Sequence, residues 1–406
     1  MKIAIIHNHP SGGAARAVYE LGTQLARRHS IDVYTLTTAD EALLPSRDYA
    51  ENVRTFAYAR RPPLRLGLYL NELRQRGDLN RLEYVWRDVA TAVDIGAYDA
   101  AFVSACRYLQ APSVLAFLRT PAAYYCHEPP RRFVEPARRP DAGPLPLYRR
   151  LRAAWHRPAA RALDRVLAQR DRRNVAAARV VLTNSRFNAA RVGAYYERPA
   201  EVCHLGVDAE RFRPTDVEPA PYVLSVGAID RHKGHDFLVE ALALVPPDAR
   251  PPLLVAGNYA NDAVAGELRA QAMRAGVDLT LRVGIAERDL PEIYARARVF
   301  VYAAHNEPFG LAVLEAMAAG VPVVAVSEGG VVDSVVPNMT GLLVPRDASA
   351  FADALRSLLV EPERAQSLGR QGRIVAERDW TWDAAARRVD DSLLAAANRT
   401  PAMVTA

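Results

Sequence analysis

Apolar residues along this chain fall into short, nearly continuous runs, each followed by a stretch with helical spacing. In the first half the runs are Ile3–His7, Asp32–Thr37, Ala100–Ala105, Ala122–Cys126, Val180–Asn184 and Val202–Leu205. In the second half they are Tyr222–Val226, Leu253–Ala256, Leu279–Val283, Val299–Ala303, Val321–Val326 and Leu342–Val344. Runs this short and this apolar, separated by helical patterns, predict strands buried on both faces, as in parallel sheets covered by helices. Two such series, of about six strands each, predict an α/β chain of two Rossmann-like, doubly wound parallel-sheet domains facing a central cleft. The length of 406 residues agrees with two cores rather than one.

The seam is expected near RFRPTDVEPAPY, where three prolines sit among polar residues without periodicity. The predicted organisation is a first domain over residues 1–210, a linker over 211–221 and a second domain over 222–381. A last helix over 382–400 is expected to pack back on the first domain.

Composition narrows the class. Cys106, Cys126 and Cys203 are odd in number and widely spaced, which argues against a disulfide framework or structural zinc and for a reducing compartment. The opening MKIAIIHNHP has too short an apolar run for a leader and reads as a first strand. No apolar stretch is long enough to predict a membrane span. Charge is uneven: residues 1–215 hold 34 Lys and Arg against 21 Asp and Glu, the remainder 18 against 25. A basic half suggests a polyanionic neighbour, and an Arg-studded surface with no partner is the alternative. The Arg-rich stretch 131–173 is the candidate contact for an anionic acceptor or the inner face of the cytoplasmic membrane. No nucleic-acid motif accompanies the Arg excess, so no nucleic-acid partner is expected.

The segment EPFGLAVLEAMAAGVPVVAVSEGG, from Glu307 to Gly330, carries the most chemistry. It is expected to follow a strand and open a helix, with Pro308 at a first helical position. The amides of Phe309, Gly310 and Leu311 would then lack intrahelical partners and favour a phosphate. Glu307 and Glu315, eight residues apart, would be separated by on the order of 12 Å along a helix, about the span of a sugar, a diphosphate and a ribose. Carboxylates can each accept hydrogen bonds from two vicinal hydroxyls. Upstream, YVLSVGAIDRHKGHDFLVEAL reads as strand, Gly turn and helix. Lys233 is one of two lysines in the chain, the other being Lys2, and its place before a helix suits a phosphate point charge, with Arg231 and His232 beside it. HNHPSGGAA places Gly12 and Gly13 in a turn between strand and helix, where backbone can approach a ligand. His127, in YYCHEPPRRF, follows a strand and suits orientation of a sugar hydroxyl, a structural histidine being the alternative. No H-E-x-x-H, P-loop or G-x-S-x-G is present, His7 and His9 are too few for a metal site, and no tightly bound metal or cofactor is expected.

These segments resemble glycosyltransferase family 4, the retaining nucleotide-sugar transferases of GT-B fold, and YYCHEPPR resembles its bacterial mannosyltransferase-like members. The resemblance is strongest in the second half, over YARARVFVYAAHNEPFGLAVLEAMAAGVPVVAVSEGG, and extends to NSRFNAARV and HLGVDAERFRP. It implies that Glu307 holds the donor sugar, Glu315 the ribose, and the Phe309–Leu311 amides the diphosphate and sugar. It implies an acceptor-binding first domain and a donor-binding second domain. SVGAIDRHKG resembles the family's diphosphate site: Lys233 matches, but Ala228 stands where the family has Arg, so Arg231 is the candidate substitute. Ala304–Asn306 replaces the usual Pro-Ser before the first Glu. The implied catalytic set is Glu307, Lys233 and His127. The implied donor-binding set is Gly12, Gly13, Gly227, Arg231, Lys233, Ile285, Glu307, Phe309, Gly310, Leu311 and Glu315. The donor would be a GDP- or UDP-sugar and the acceptor a saccharide or lipid-linked glycan, in polysaccharide biosynthesis. The alternatives are a nucleotide-sugar epimerase or hydrolase of the same architecture, and a non-catalytic sugar-nucleotide-binding partner of a transferase.

Overall fold

The computed structural model describes residues 1–64, 68–135, 147–215 and 220–398. Parts of the Arg-rich stretch (136–146), of the expected linker (216–219) and of the last segment (399–400) lie outside the described residues, as do the side chains of 68–69 and 147–156. The chain divides into two compact units. The first comprises Met1–Thr183, Ala189–Cys203 and the last helix from Ala386 onward; the second comprises Asn184–Asn188 and His204–Ala385.

The first unit is built on strands β1 (Lys2–Asn8), β2 (Ser30–Leu36), β3 (Asn52–Phe56), β4 (Ala100–Cys106), β5 (Ala122–Cys126), β6 (Val180–Thr183) and β7 (Glu201–Val202). They form one parallel sheet in the order β3-β2-β1-β4-β5-β6-β7. Ile3, Ala4, Ile5 and Ile6 of β1 are wholly buried, as expected for a central strand covered on both faces. The helix Leu68–Ile95 lays Leu82, Trp86, Val89 and Val93 on one of those faces, a spacing of three and four that makes a single stripe. Each large apolar side chain so buried contributes about 1.5–3 kcal/mol. Two expectations are corrected. β3 was not foreseen, because NVRTF at the sheet edge is almost wholly exposed and has no apolar run. β7 is a two-residue strand rather than Val202–Leu205, since its pairing with β6 ends at Val202.

The second unit holds β8 (Val223–Val226), β9 (Leu253–Gly257), β10 (Leu279–Val283), β11 (Val299–Tyr302), β12 (Val323–Val326) and β13 (Leu342–Val344). All pair in parallel in the order β10-β9-β8-β11-β12-β13. In both sheets the strand order reverses beside the first strand, between β1 and β4 and between β8 and β11. Connections leaving such a pair diverge, and the space at the strands' carboxyl ends is where α/β sheets take ligands. Among the described residues no helix is long and apolar enough to cross a membrane.

Candidate functional site

The reversal in the second sheet brings the turn after β8 next to the loop after β11. The turn runs from Gly227 through a short helical turn at Arg231–Lys233 into the helix His235–Ala243. Asp230 opens that turn by accepting from the His232 amide at 2.8 Å. Gly234 closes it at φ +67, and a Cβ there would lie 2.1 Å from the carbonyl oxygen of Ala303 at the end of β11. Only glycine satisfies both demands, so this residue sets how closely the two segments approach. The His305 amide donates to the carbonyl of His232 at 2.7 Å and completes the seam.

Lys233 Nζ donates to Glu307 Oε1 at 2.9 Å. These residues are 74 positions apart in the chain, and both stay partly exposed, at 23% and 21%. The methylene stem of Lys233 lies over Gly227, where a Cβ would meet Lys233 Cδ at 3.2 Å. Asn306, just before Glu307, holds a left-handed φ of 46. The loop is pinned from below by the turn after β12. The Gly330 amide donates to the Glu307 carbonyl at 2.8 Å, and a Cβ at Gly330 would lie 2.1 Å from the Pro308 oxygen. The Ser185 hydroxyl donates to that same Pro308 oxygen at 2.5 Å.

The helix that follows is Leu311–Ala318, capped by Gly310 at φ +97. Pro308 is therefore not a first helical position: it lies in the loop, held there by Gly330 and Ser185. The helical rise between Glu307 and Glu315 accordingly applies only from Leu311 onward. The Phe309 ring is buried against Trp380 and near His204, which leaves only its backbone to face the loop. Glu315 is buried at 7% exposure and accepts from the Tyr294 hydroxyl at 2.6 Å, which provides for a carboxylate inside an apolar helix.

Arg231 extends away to pair with Glu267 at 2.5 Å and is exposed. The guanidinium that the sequence offered as a substitute for an Arg at Ala228 is thus engaged by Glu267. Ile285 follows β10, two strands removed from β8, and is half-buried.

Sequence reasoning missed a second charged pair. Arg346 grips Glu328 with two hydrogen bonds of 2.8 and 2.7 Å and also donates to the Ala304 carbonyl at 3.2 Å. Both residues stand just past β12 and β13, and a charged residue directly after a predicted strand was the available signal. Beside them opens a pocket of about 580 Å³ lined by Asn306, Ser327, Glu328, Gly329, Arg186 and Asp333. Burial alone would raise the Asp333 carboxyl, but hydrogen bonds from His204 and from the amide and guanidinium of Arg186 hold it below its usual range.

In the first unit, Gly12 takes φ +138 at the entrance to the helix Gly13–Ala26, and a Cβ there would meet nothing within 4 Å. His127 directly follows β5, with Nε2 at 2.9 Å from the Ser104 hydroxyl of β4. Burial lowers the His127 pKa to about 4. Cys106, Cys126 and Cys203 are buried, and among the described residues none of them is joined in a disulfide. Among the described residues no group of three His, Cys, Asp or Glu is placed to hold a metal ion.

Comparison with known proteins bears on these features. The chain is 32% identical over 239 residues to a GDP-mannose-dependent alpha-(1-6)-phosphatidylinositol monomannoside mannosyltransferase of Mycobacterium tuberculosis, covering 53% of this chain and 61% of that one. It is 32% identical over 251 residues to a D-inositol 3-phosphate glycosyltransferase of Xylanimonas cellulosilytica, covering 56% and 60%. It thus spans about three fifths of these relatives' length. Its fold superimposes on Anabaena Alr3699/HepE in complex with UDP and glucose, with a TM-score of 0.72 at 18% identity over 97% of this chain and 99% of that one. For the sucrose-phosphate synthase of Thermosynechococcus elongatus the values are 0.71, 22%, 97% and 99%. The architecture of two parallel-sheet Rossmann-like units is that of these GT-B proteins, and residues 207–375, which carry Lys233, Glu307 and Glu315, match the family described as Glycosyl transferases group 1.

Proposed function

We propose that this protein is a retaining glycosyltransferase of family 4 that moves a hexose from a GDP- or UDP-sugar to a saccharide or lipid-linked acceptor. The observation that carries the reading is the meeting of Lys233 and Glu307 at 2.9 Å at the carboxyl ends of β8 and β11. A cation for the diphosphate and a carboxylate for sugar hydroxyls then stand side by side, ahead of a glycine-capped helix whose first amides face outward from the fold's own hydrogen bonding. The group 1 match over 207–375 supports it, as do relatives named for GDP-mannose and a structural neighbour holding UDP and glucose.

In this reading the diphosphate departs from the anomeric carbon as an oxocarbenium-like transition state forms. Lys233 and the amides at Gly310 and Leu311 stabilise the charge gathering on the leaving group. Glu307 orients the sugar through its hydroxyls and Glu315 takes the ribose. The acceptor oxygen attacks from the face the diphosphate leaves, and the departing phosphate takes the acceptor's proton. His127 orients a sugar hydroxyl. The basic first half, with its Arg-rich stretch, suits peripheral attachment to an anionic cytoplasmic membrane surface where a lipid-linked acceptor would be found.

The pairing of Arg231 with Glu267 favours a second reading, a sugar-nucleotide-binding partner without transfer activity. One experiment separates the two. Glu307→Gln and the wild type are compared for donor binding by calorimetry and for transfer from GDP-mannose and UDP-glucose to an acceptor panel. The transferase reading expects the variant to bind donor within a few-fold of wild type while its turnover falls by about 100-fold or more. Full turnover by the variant removes Glu307 from the chemistry, and donor binding without transfer by the wild type establishes the second reading.

A further inference from the structure

The first unit holds a cluster that the proposed reaction uses only in part. His7 lies on β1, His9 just beyond it, Ser104 on β4 and His127 just beyond β5, so all four gather at the carboxyl end of the sheet around its order reversal. All four are buried. The His7 and His9 rings stack with centroids 5.8 Å apart, and His127 meets His9 edge-on at 5.4 Å. The Ser104 hydroxyl lies 2.8 Å from His9 Nε2 and 2.9 Å from His127 Nε2.

A serine oxygen carries one proton. Burial, reinforced for His9 by the two neighbouring rings, keeps the imidazoles below the usual histidine range, so near neutral pH each ring bears a single N–H. Among the described residues these two rings are the only side-chain partners of the wholly buried Ser104 hydroxyl, so its proton goes to one Nε2, it accepts the N–H of the other, and the two rings hold opposite tautomers. His7 is fixed separately. Ser46 gives its hydroxyl proton to Glu41 at 3.0 Å, so His7 Nε2, 3.2 Å from the same hydroxyl, must be the donor there. Among the described residues His9 makes no other side-chain hydrogen bond, and its Nδ1, unlike that of His7, is not a fully enclosed atom, so it is open to a bound hydroxyl. Gly12, three residues on, leaves open space within 4 Å of where a Cβ would stand.

We infer that His9 is a further ligand-contacting residue, its Nδ1 bonding a sugar hydroxyl, and that Ser104 is a positioning residue that ties the His9 tautomer to that of His127. Ser104 thereby decides whether His9 Nδ1 donates or accepts. The inference deepens the transferase reading for this end of the first sheet, and it rests on that reading for the nature of the ligand.

The test uses the full chain with nitrogen-labelled histidine, as wild type, Ser104→Ala and Ser104→Thr. NMR reads which ring nitrogens are protonated, calorimetry reads binding of UDP-glucose and GDP-mannose, and transfer assays read kcat and KM. Opposite tautomers on His9 and His127 are expected in the wild type and in Ser104→Thr, and their coupling is lost in Ser104→Ala. The His9 Nδ1 resonance should shift when a donor that binds by calorimetry is added. Ser104→Ala should lower kcat about tenfold with a smaller change in KM, and Ser104→Thr should restore most of it. Like tautomers in the wild type, or opposite tautomers with full turnover in Ser104→Ala, overturn the role of Ser104. An unmoved His9 Nδ1 resonance under a saturating donor overturns its ligand contact. A wild type that binds donors and transfers no sugar defeats the transferase reading instead, and the spectra still decide the coupling.

Discussion

Lys233 and Glu307 meet through one hydrogen bond while both remain partly open to solvent. A pair of this exposure adds about 0–1 kcal/mol to stability, because water screens it and two long side chains must be ordered. Against the diphosphate of the proposed donor the same ammonium would make charge-assisted bonds worth about 1.5–3 kcal/mol. Lys233→Ala should therefore leave the melting temperature nearly unchanged while weakening donor binding by about 10- to 100-fold, read by calorimetry. Wild-type affinity in the variant would take Lys233 out of the site. The balance is reversed at Glu315, which is buried and takes the Tyr294 hydroxyl at 2.6 Å. Tyr294→Phe deletes that donor beside a buried carboxylate and should cost about 1–3 kcal/mol in urea unfolding. No loss would mean that the remaining surroundings of Glu315 suffice. Both carboxylates were visible in the sequence as a pair at fixed spacing. Their opposite environments were not, since the partners Lys233 and Tyr294 come from distant segments.

At the level of elements, the turn after β8 and the loop after β11 approach through a glycine and the backbone bond from His305 to His232, with the Lys233–Glu307 pair across the same seam. Gly234 has φ +67, and a Cβ would sit 2.1 Å from the Ala303 carbonyl carbon's oxygen. Gly234→Ala should lower stability by more than about 1 kcal/mol, since a left-handed alanine is strained and the carbonyl must retreat. Because the retreat would move Lys233 from Glu307, donor binding should weaken in the same variant. Thermal unfolding together with calorimetry checks both, and an unchanged melting point would show that the seam can widen freely. Strand–turn–helix punctuation made the turn itself legible, but the helix start after Glu307 was misplaced. Proline at a first helical position is a local preference, and here the Gly330 amide and the Ser185 hydroxyl bind the loop carbonyls and delay the helix to Leu311. The edge strand Asn52–Phe56 was missed for the opposite reason: it is formed by pairing with β2 and buries almost nothing.

Across the whole molecule, buried histidines set the response to acid. Burial lowers His7, His127 and His235 from 6.5 to about 4. The unfolded chain binds protons at these sites below pH 6.5, whereas the folded chain does so only near pH 4, so stability is full above 6.5 and is lost as pH falls through that window. Between pH 7 and pH 5 each site should remove about 2 kcal/mol. Asp171, raised by burial from 3.8 to about 6, acts with the opposite sign. Its stabilisation is full below the unfolded value and disappears as pH rises past 6, so acidification to pH 5 returns about 1 kcal/mol. The net expectation is a marked drop in unfolding free energy from pH 7 to pH 5, measured by urea titration at each pH. Constant stability would mean that these imidazoles are reached by water in the folded state.

The sequence alone determined that the chain folds as two doubly wound α/β units, because buried parallel strands and covering helices are written in local apolar patterning. It also set Lys233, Glu307 and Gly310 in loops that follow strands and Glu315 on the helix beyond, because strand–turn–helix punctuation is local. Only the tertiary structure decided which of these loops meet. Strand order is a long-range property: the reversal between β8 and β11 joins Lys233 to Glu307, and in the first sheet the neighbouring β1, β4 and β5 set Ser104 between His9 and His127.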